Sequence, residues 1–219
     1  FKGNIKASEI ISLRREISGI LLSFKKGDEV LLRLENSGGT VHEHGLAASQ
    51  LKRIRDKNIP LTICVDKVAA SGGYMMACVA NKIVASPFAI IGSIGVIAQV
   101  PNFNKLLKNK GVDFEQQTAG NYKRTVTMFG KNTDKDRKKL KEQLEDIHSL
   151  FKEFIKDNRR NLDVEKVSTG EYWYGKDALK LKLIDKILTS DEYIISMKDR
   201  FEIVRIKYKP AKSISDKLS

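Results

Sequence analysis

Ser71 stands between two alanines and two glycines in the run Val68-Ala-Ala-Ser-Gly-Gly-Tyr-Met-Met-Ala77. Small neighbours leave its hydroxyl uncrowded, and the residues after it suit a buried helix, so the serine is expected at a helix N-terminus. Unpaired backbone N–H groups and positive partial charge gather there, which favours negative charge developing on oxygen. Ser71 is therefore a nucleophile candidate. A tight glycine turn capped by a serine accounts for the same ten residues equally well.

A nucleophilic serine needs a base. The three histidines are His42, His44 and His148. His148 falls in a long amphipathic pattern and reads as a helix-surface residue. His42 and His44 follow the loop Glu35-Asn-Ser-Gly-Gly-Thr40 and stay open as partners of Ser71, with Glu35 or Glu43 as the only acidic residues near enough to orient them. Lysine is the other option, since an ammonium folded into an apolar pocket is driven towards its neutral, basic form. Spacing does not choose the lysine: Ser23–Lys26 and Ser149–Lys152 both fit S-x-x-K in a lysine-rich chain and carry no weight. Ser71 also departs from the G-x-S-x-G elbow, because Ala69 occupies the first glycine position.

The elements that would position these groups alternate along the chain. Phe1 to Ile5 reads as a strand end, and Ser8 as the cap of a helix carrying Ile10, Leu13, Ile17, Leu21 and Phe24 at spacings of three and four. Val30–Leu34 is a strand, followed by the Gly38-Gly39 loop and a helix around Leu46 to Arg55. The pattern recurs with Leu61–Val65 as strand, Ser71–Ala80 as helix and Lys82–Ala85 as strand. Repeated βαβ units predict an α/β fold, a largely parallel sheet flanked by helices. Both glycine loops then lie at the C-terminal ends of strands and are expected to be neighbours. Further on come a helix around Phe103 to Lys110, a strand around Val112 to Gln116, the loop Thr118 to Arg124 and a long helix from Asp134 to Arg160. A helix-and-strand segment and a basic tail, Lys207 to Lys217, close the chain.

The 219 residues carry 40 Lys and Arg against 27 Asp and Glu, a net charge of +13. That excess asks for an acidic partner or surface. The basic residues are scattered, which ranks a nucleic-acid groove low and a generally cationic surface high. Cys64 and Cys78 are expected as buried free thiols. His42 and His44 have no third ligand at a metal-site spacing, so no metal is expected. The uncharged run between Lys82 and Lys105 is long enough to span a bilayer, but Pro87, Gly92, Gly95 and Pro101 interrupt it and buried strands explain it better. The chain opens at Phe1 without a methionine and reads as a fragment, with an N-terminal anchor expected outside it.

One ordered set of segments goes further. Asn36-Ser-Gly-Gly-Thr-Val41, Asp66-Lys-Val-Ala-Ala-Ser-Gly-Gly-Tyr74, Gly92-Ser-Ile-Gly-Val96, Gly120-Asn-Tyr-Lys123 and Gly175-Lys-Asp-Ala178 with Leu183-Ile-Asp185 resemble the signal peptide peptidase A family of serine peptidases, and most of all its SohB-like branch. The resemblance implies a ClpP/crotonase-like fold forming a single peptidase domain over residues 1–219, with 185–219 as a C-terminal extension. It implies Ser71 as nucleophile and Lys123, 52 positions later, as general base. Ser93 matches the serine that holds the lysine. Gly38 matches the oxyanion glycine, with Gly39 and Gly72 beside it. Ser37 departs from the proline common at that position in relatives, which loosens the loop without removing a glycine amide.

The resemblance further implies peptide substrates, no cofactor, homo-oligomerisation, and a place at the bacterial inner membrane with the soluble domain on the periplasmic or extracytoplasmic side. A crotonase-like acyl-thioester enzyme, a Ser-His hydrolase and a non-catalytic cationic assembly module are the competing readings.

Overall fold

A computed structural model describes residues 1–209, so the basic tail beyond that point lies outside the described residues. The chain divides into two compact units, one made of Phe1–Ile94 and Lys152 onward, the other of Gly95–Phe151.

The first unit starts with β1 (Lys2–Gly3) and helix α1 (Ile10–Ser23). Ile10, Leu13 and Ile17 of α1 are buried, as their spacing predicts. Its N-cap is Glu9 and makes no side-chain capping bond, while the Ser8 hydroxyl accepts from Asn4 instead. Next come β2 (Val30–Arg33), β3 (Glu35–Asn36) and helix α2 (Val41–Asp56). The unit repeats this order with β4 (Leu61–Val65), β5 (Val68–Ala70) and helix α3 (Gly72–Ala77), and then β6 (Lys82–Ala85) and β7 (Ile90–Gly92).

Each repeat thus has two strands before its helix, and the pair is divided between two sheets. One sheet has the order β2-β4-β6 and is parallel throughout. The other runs β1-β3-β5-β7, also parallel. The expected α/β architecture of parallel sheet and flanking helices is present, but as two sheets visited in turn. β3 and β5 are only two and three residues long, which is why Glu35-Asn36 reads as loop in the sequence. All five residues of β4 are buried, the burial of a parallel strand covered on both faces.

The second unit holds helix α4 (Asn104–Asn109) and residues 134–151 of the long helix α5 (Asp134–Asn158). No strand forms at Val112–Gln116, and among the described residues this unit offers no other strand to pair with it. Phe103, Phe114 and Phe129 cluster there instead, with ring centroids 5.7 to 6.1 Å apart.

The chain returns to the first unit through the end of α5, then α6 (Val164–Val167), β8 (Tyr172–Tyr174), α7 (Gly175–Lys180), β9 (Lys186–Ile187) and α8 (Ser190–Met197). β8 adds antiparallel to β7, and β9 adds parallel to β6. The segment after Asp185 is built into the fold up to α8. Tyr193 packs with Cys64 and Val84, and its hydroxyl lies 3.2 Å from that of Thr62.

Two carboxylates fasten this return. The Ser190 N–H and hydroxyl donate to Asp66 at 2.7 and 2.6 Å. Burial would raise the Asp66 carboxyl, but those two bonds and Arg33 outweigh it and hold it below its ordinary value. Arg159 grips Asp185 with two bonds of 2.9 and 2.8 Å, and the Ile83 N–H donates to the same carboxylate at 2.7 Å.

Candidate active site

Ser71 joins β5 to α3 with φ 52° and ψ −119°, a conformation that strains any residue with a Cβ. The strain is held by bonds on both sides. Its N–H donates to Gly92 O at 2.7 Å, and its carbonyl accepts from Met75 N–H at 3.0 Å. The amides of Gly72, Gly73 and Tyr74, which precede Met75 in the first turn, donate to no acceptor among the described residues. A half-buried serine at the mouth of free N–H groups is suited to attack a carbonyl and shelter the resulting oxyanion. The helix behind it is anchored by Tyr74, fully buried, whose hydroxyl donates to Leu183 O at 2.9 Å. Burial pushes the Tyr74 phenol far up, so it stays a neutral donor.

The two glycine loops are neighbours, as expected from their places at strand ends. Gly38 has φ 89°, and a Cβ added to it would lie 2.7 Å from the Ser71 Cβ and 2.8 Å from the Gly72 nitrogen. No side chain fits there. The Gly38 N–H donates to the Asn36 side-chain Oδ1 at 2.6 Å. In this arrangement it is engaged by the loop itself, whereas Gly39 N–H has no acceptor among the described residues. The loop is pinned at its far end by Thr40 N–H, which donates to Ile5 O at 3.0 Å.

The histidines separate. His42 is exposed on α2. His44 is completely buried, with Nδ1 2.9 Å from Thr40 O and Nε2 3.0 Å from Asn36 Oδ1. Its ring lies against Gly72, so close that a Cβ on Gly72 would overlap it. His44 thus seats the helix beginning at Gly72, but both ring nitrogens are occupied by other partners, which leaves none for the Ser71 hydroxyl. His148, expected on a helix surface, has a buried Nε2 without a partner among the described residues.

Ser93 is half-buried and directly follows β7, with φ 51° and its N–H on Glu171 O at 2.7 Å. Ser71 is bonded to the residue just before it, Gly92. The first unit therefore brings Ser71, Gly38, Gly39, Gly72 and Ser93 into one neighbourhood. Lys123 belongs to the second unit, exposed in a turn closed by its own N–H on Gly120 O at 3.1 Å.

The residues that sequence reasoning missed are Asn36 and His44 as supports. The signal for Asn36 was present: an asparagine two residues before a glycine forms a side-chain-to-backbone turn. A polar cleft of about 490 Å³, lined among others by Arg55, Asn81, Arg159, Arg160, Lys182 and Asp185, contains none of the candidate residues. No group of acidic, histidine or cysteine side chains suited to a metal occurs among the described residues.

The chain matches Peptidase family S49 over residues 53–203 and its N-terminal region, Peptidase family S49 N-terminal, over residues 1–51. The chain belongs to the S49 peptidase family. Its alternation of parallel strands and flanking helices is the ClpP-like architecture of that family. A probable protease SohB from Buchnera aphidicola subsp. Acyrthosiphon pisum is 58% identical over 219 residues, covering 100% of this chain and 65% of the relative. One from Buchnera aphidicola subsp. Schlechtendalia chinensis is 62% identical over 196 residues, 90% of this chain and 64% of the relative. A third, from Haemophilus influenzae, is 54% identical over 217 residues, 99% of this chain and 62% of the relative. The S49 chain thus spans somewhat less than two thirds of the length of these relatives.

Proposed function

We propose that this S49 chain carries the catalytic machinery of a serine endopeptidase that cleaves signal-peptide remnants or unfolded, membrane-derived peptides through a Ser71–Lys123 dyad. The observation that carries the reading is Ser71 itself: a strained, half-buried serine opening a helix whose first amides are free, with Gly38 pressed against it. Membership of S49 and the SohB relatives support peptide hydrolysis as the reaction.

In this mechanism the Ser71 oxygen attacks the peptide carbonyl while the neutral Lys123 amine takes the hydroxyl proton. The amides of Gly72 and Gly39, joined by Gly38, receive the oxyanion. Lys123 returns the proton to the leaving amine, and water then releases the acyl group from Ser71. Ser93 holds the lysine. The two other partners of His44 support a lysine over it as the base. Homo-oligomerisation and attachment to the inner membrane, with the domain on the periplasmic side, belong to the same proposal and rest on the resemblance. No helix among the described residues is long and apolar enough to cross a membrane.

The test is hydrolysis of a short apolar peptide ester by wild type, Ser71→Ala and Lys123→Ala across pH. Both variants are expected to lose nearly all activity. Full rate in Lys123→Ala would remove the dyad from the mechanism. Full rate in Ser71→Ala would return the chain to the thioester-enzyme or assembly readings.

A further inference from the structure

Asn36 ends β3 and is 1% exposed. Its Oδ1 takes the Gly38 N–H at 2.6 Å and faces His44 Nε2 at 3.0 Å, while its Nδ2 is buried with no partner among the described residues. No space is left beside that nitrogen, because Gly3 packs onto it so closely that any Cβ there would collide. His44 carries a matching defect. Each ring nitrogen faces an oxygen that only accepts, so a ring with one N–H sets a lone pair against a lone pair on one side.

Turning the Asn36 amide by half a rotation removes both defects. Nδ2 then donates to His44 Nε2, and His44 Nδ1–H donates to Thr40 O. The consequence falls on Gly38, whose N–H loses its acceptor and meets an NH₂ group instead. It has to turn away from Asn36. The resting orientation leaves Asn36 Nδ2 and one side of His44 unsatisfied, and the turned one leaves the Gly38 N–H without its acceptor, so each carries a cost, as the two arrangements of a two-state element do.

We propose that Asn36 and His44 are positioning residues that release the Gly38 amide to the oxyanion. In the resting orientation Asn36 holds the Gly38 N–H. In the turned one His44 accepts from Asn36 and Gly38 donates beside Ser71. The inference rests on Ser71 being the nucleophile.

The test is the rate at which a fluorophosphonate acylates Ser71 in the full chain, together with kcat and KM on a peptide ester. His44→Phe leaves the turned Asn36 amide without an acceptor, so Gly38 stays held and the rate falls by about a hundredfold to a thousandfold, the range for loss of one oxyanion donor. KM changes less than twofold. Asn36→Ala has no oxygen to hold Gly38, and adding His44→Phe to it has no further effect on rate. A support that merely stabilises the fold would instead show His44→Phe lowering the rate by the same factor in both backgrounds, and that result overturns the proposal, as does no effect in either.

If a variant does not fold, wild type decides. A nitrogen–nitrogen coupling across the hydrogen bond from Asn36 Nδ2 to His44 Nε2 is expected in the fluorophosphonate adduct and not in free protein. Its absence from the adduct overturns the proposal. Wild type that is not labelled at Ser71 removes the nucleophile and this inference with it, whereas labelling with equal effects of His44→Phe removes the inference alone.

Discussion

Gly38 and Ser71 approach so closely that a Cβ on the glycine would sit 2.7 Å from the Cβ of the serine. With φ at 89°, the glycine is also in a backbone region that other residues enter only under strain. Gly38→Ala is expected to displace the loop from Ser71 and lower kcat by about a hundredfold, the scale of losing one oxyanion donor. Steady-state kinetics with a thermal melt separates this from unfolding.

Ser71 pays for its place in backbone strain. Ser71→Gly relieves it and is expected to stabilise the chain by about 1 kcal/mol, at the low end for such conformations, while abolishing hydrolysis. A raised urea midpoint with no activity is the expected pair of results. An unchanged or lowered midpoint counts against strain at this residue.

Tyr74 holds the helix behind Ser71 by one bond to Leu183 O. Tyr74→Phe keeps the ring and leaves that buried carbonyl without its donor, a loss of about 1 kcal/mol by urea unfolding. Because the helix start is also fixed by the Ser71 amide on Gly92 O, activity should fall less than twofold.

Acid should loosen the contact between Asp66 and α8. The Asp66 carboxyl is depressed in the folded chain, so its contribution is complete above the ordinary carboxylate value near pH 4 and is lost as pH falls through the depressed folded value. Asp66→Asn is expected to be less stable than wild type at pH 7, with the gap closing as pH falls through the depressed folded value. Urea midpoints across this range measure the difference, and a gap independent of pH would contradict it.

Cys64 and Cys78 are both buried and free. Burial pushes the Cys64 thiol up to about 12 and raises Cys78 as well. Neither forms thiolate near neutrality, so a thiol reagent at pH 8 should leave both unmodified until urea unfolds the chain. Fast reaction of either in the folded protein would contradict its burial.

Much of the framework was legible in local pattern. Ile10, Leu13 and Ile17 recur at helical spacing and are buried on α1. Leu61–Val65 is a short apolar run and forms the covered strand β4. Ser71 among alanines and glycines does open a helix beside the Gly38 loop. Strands β3 and β5 escaped notice because two or three residues give no alternation to read. Ser8 looked like a cap by type, but the Asn4 amide donates to its hydroxyl, and the helix begins one residue later without a side-chain cap.

Residue types and their spacing say which positions are small, apolar, charged or able to turn, and those properties act over a few neighbours. They were enough for most of the helices, the longer parallel strands and the family. Tertiary structure alone decided that successive strands enter different sheets, because periodicity reports burial and says nothing about which strand lies alongside. It also decided the role of His44. By type and position that histidine was a candidate base, and only the packing of α2 against α3 shows it buried beneath Gly72 with both nitrogens taken. The same packing engages the Gly38 amide through Asn36, because hydrogen-bond partners inside a protein are assigned by what the fold brings within 3 Å.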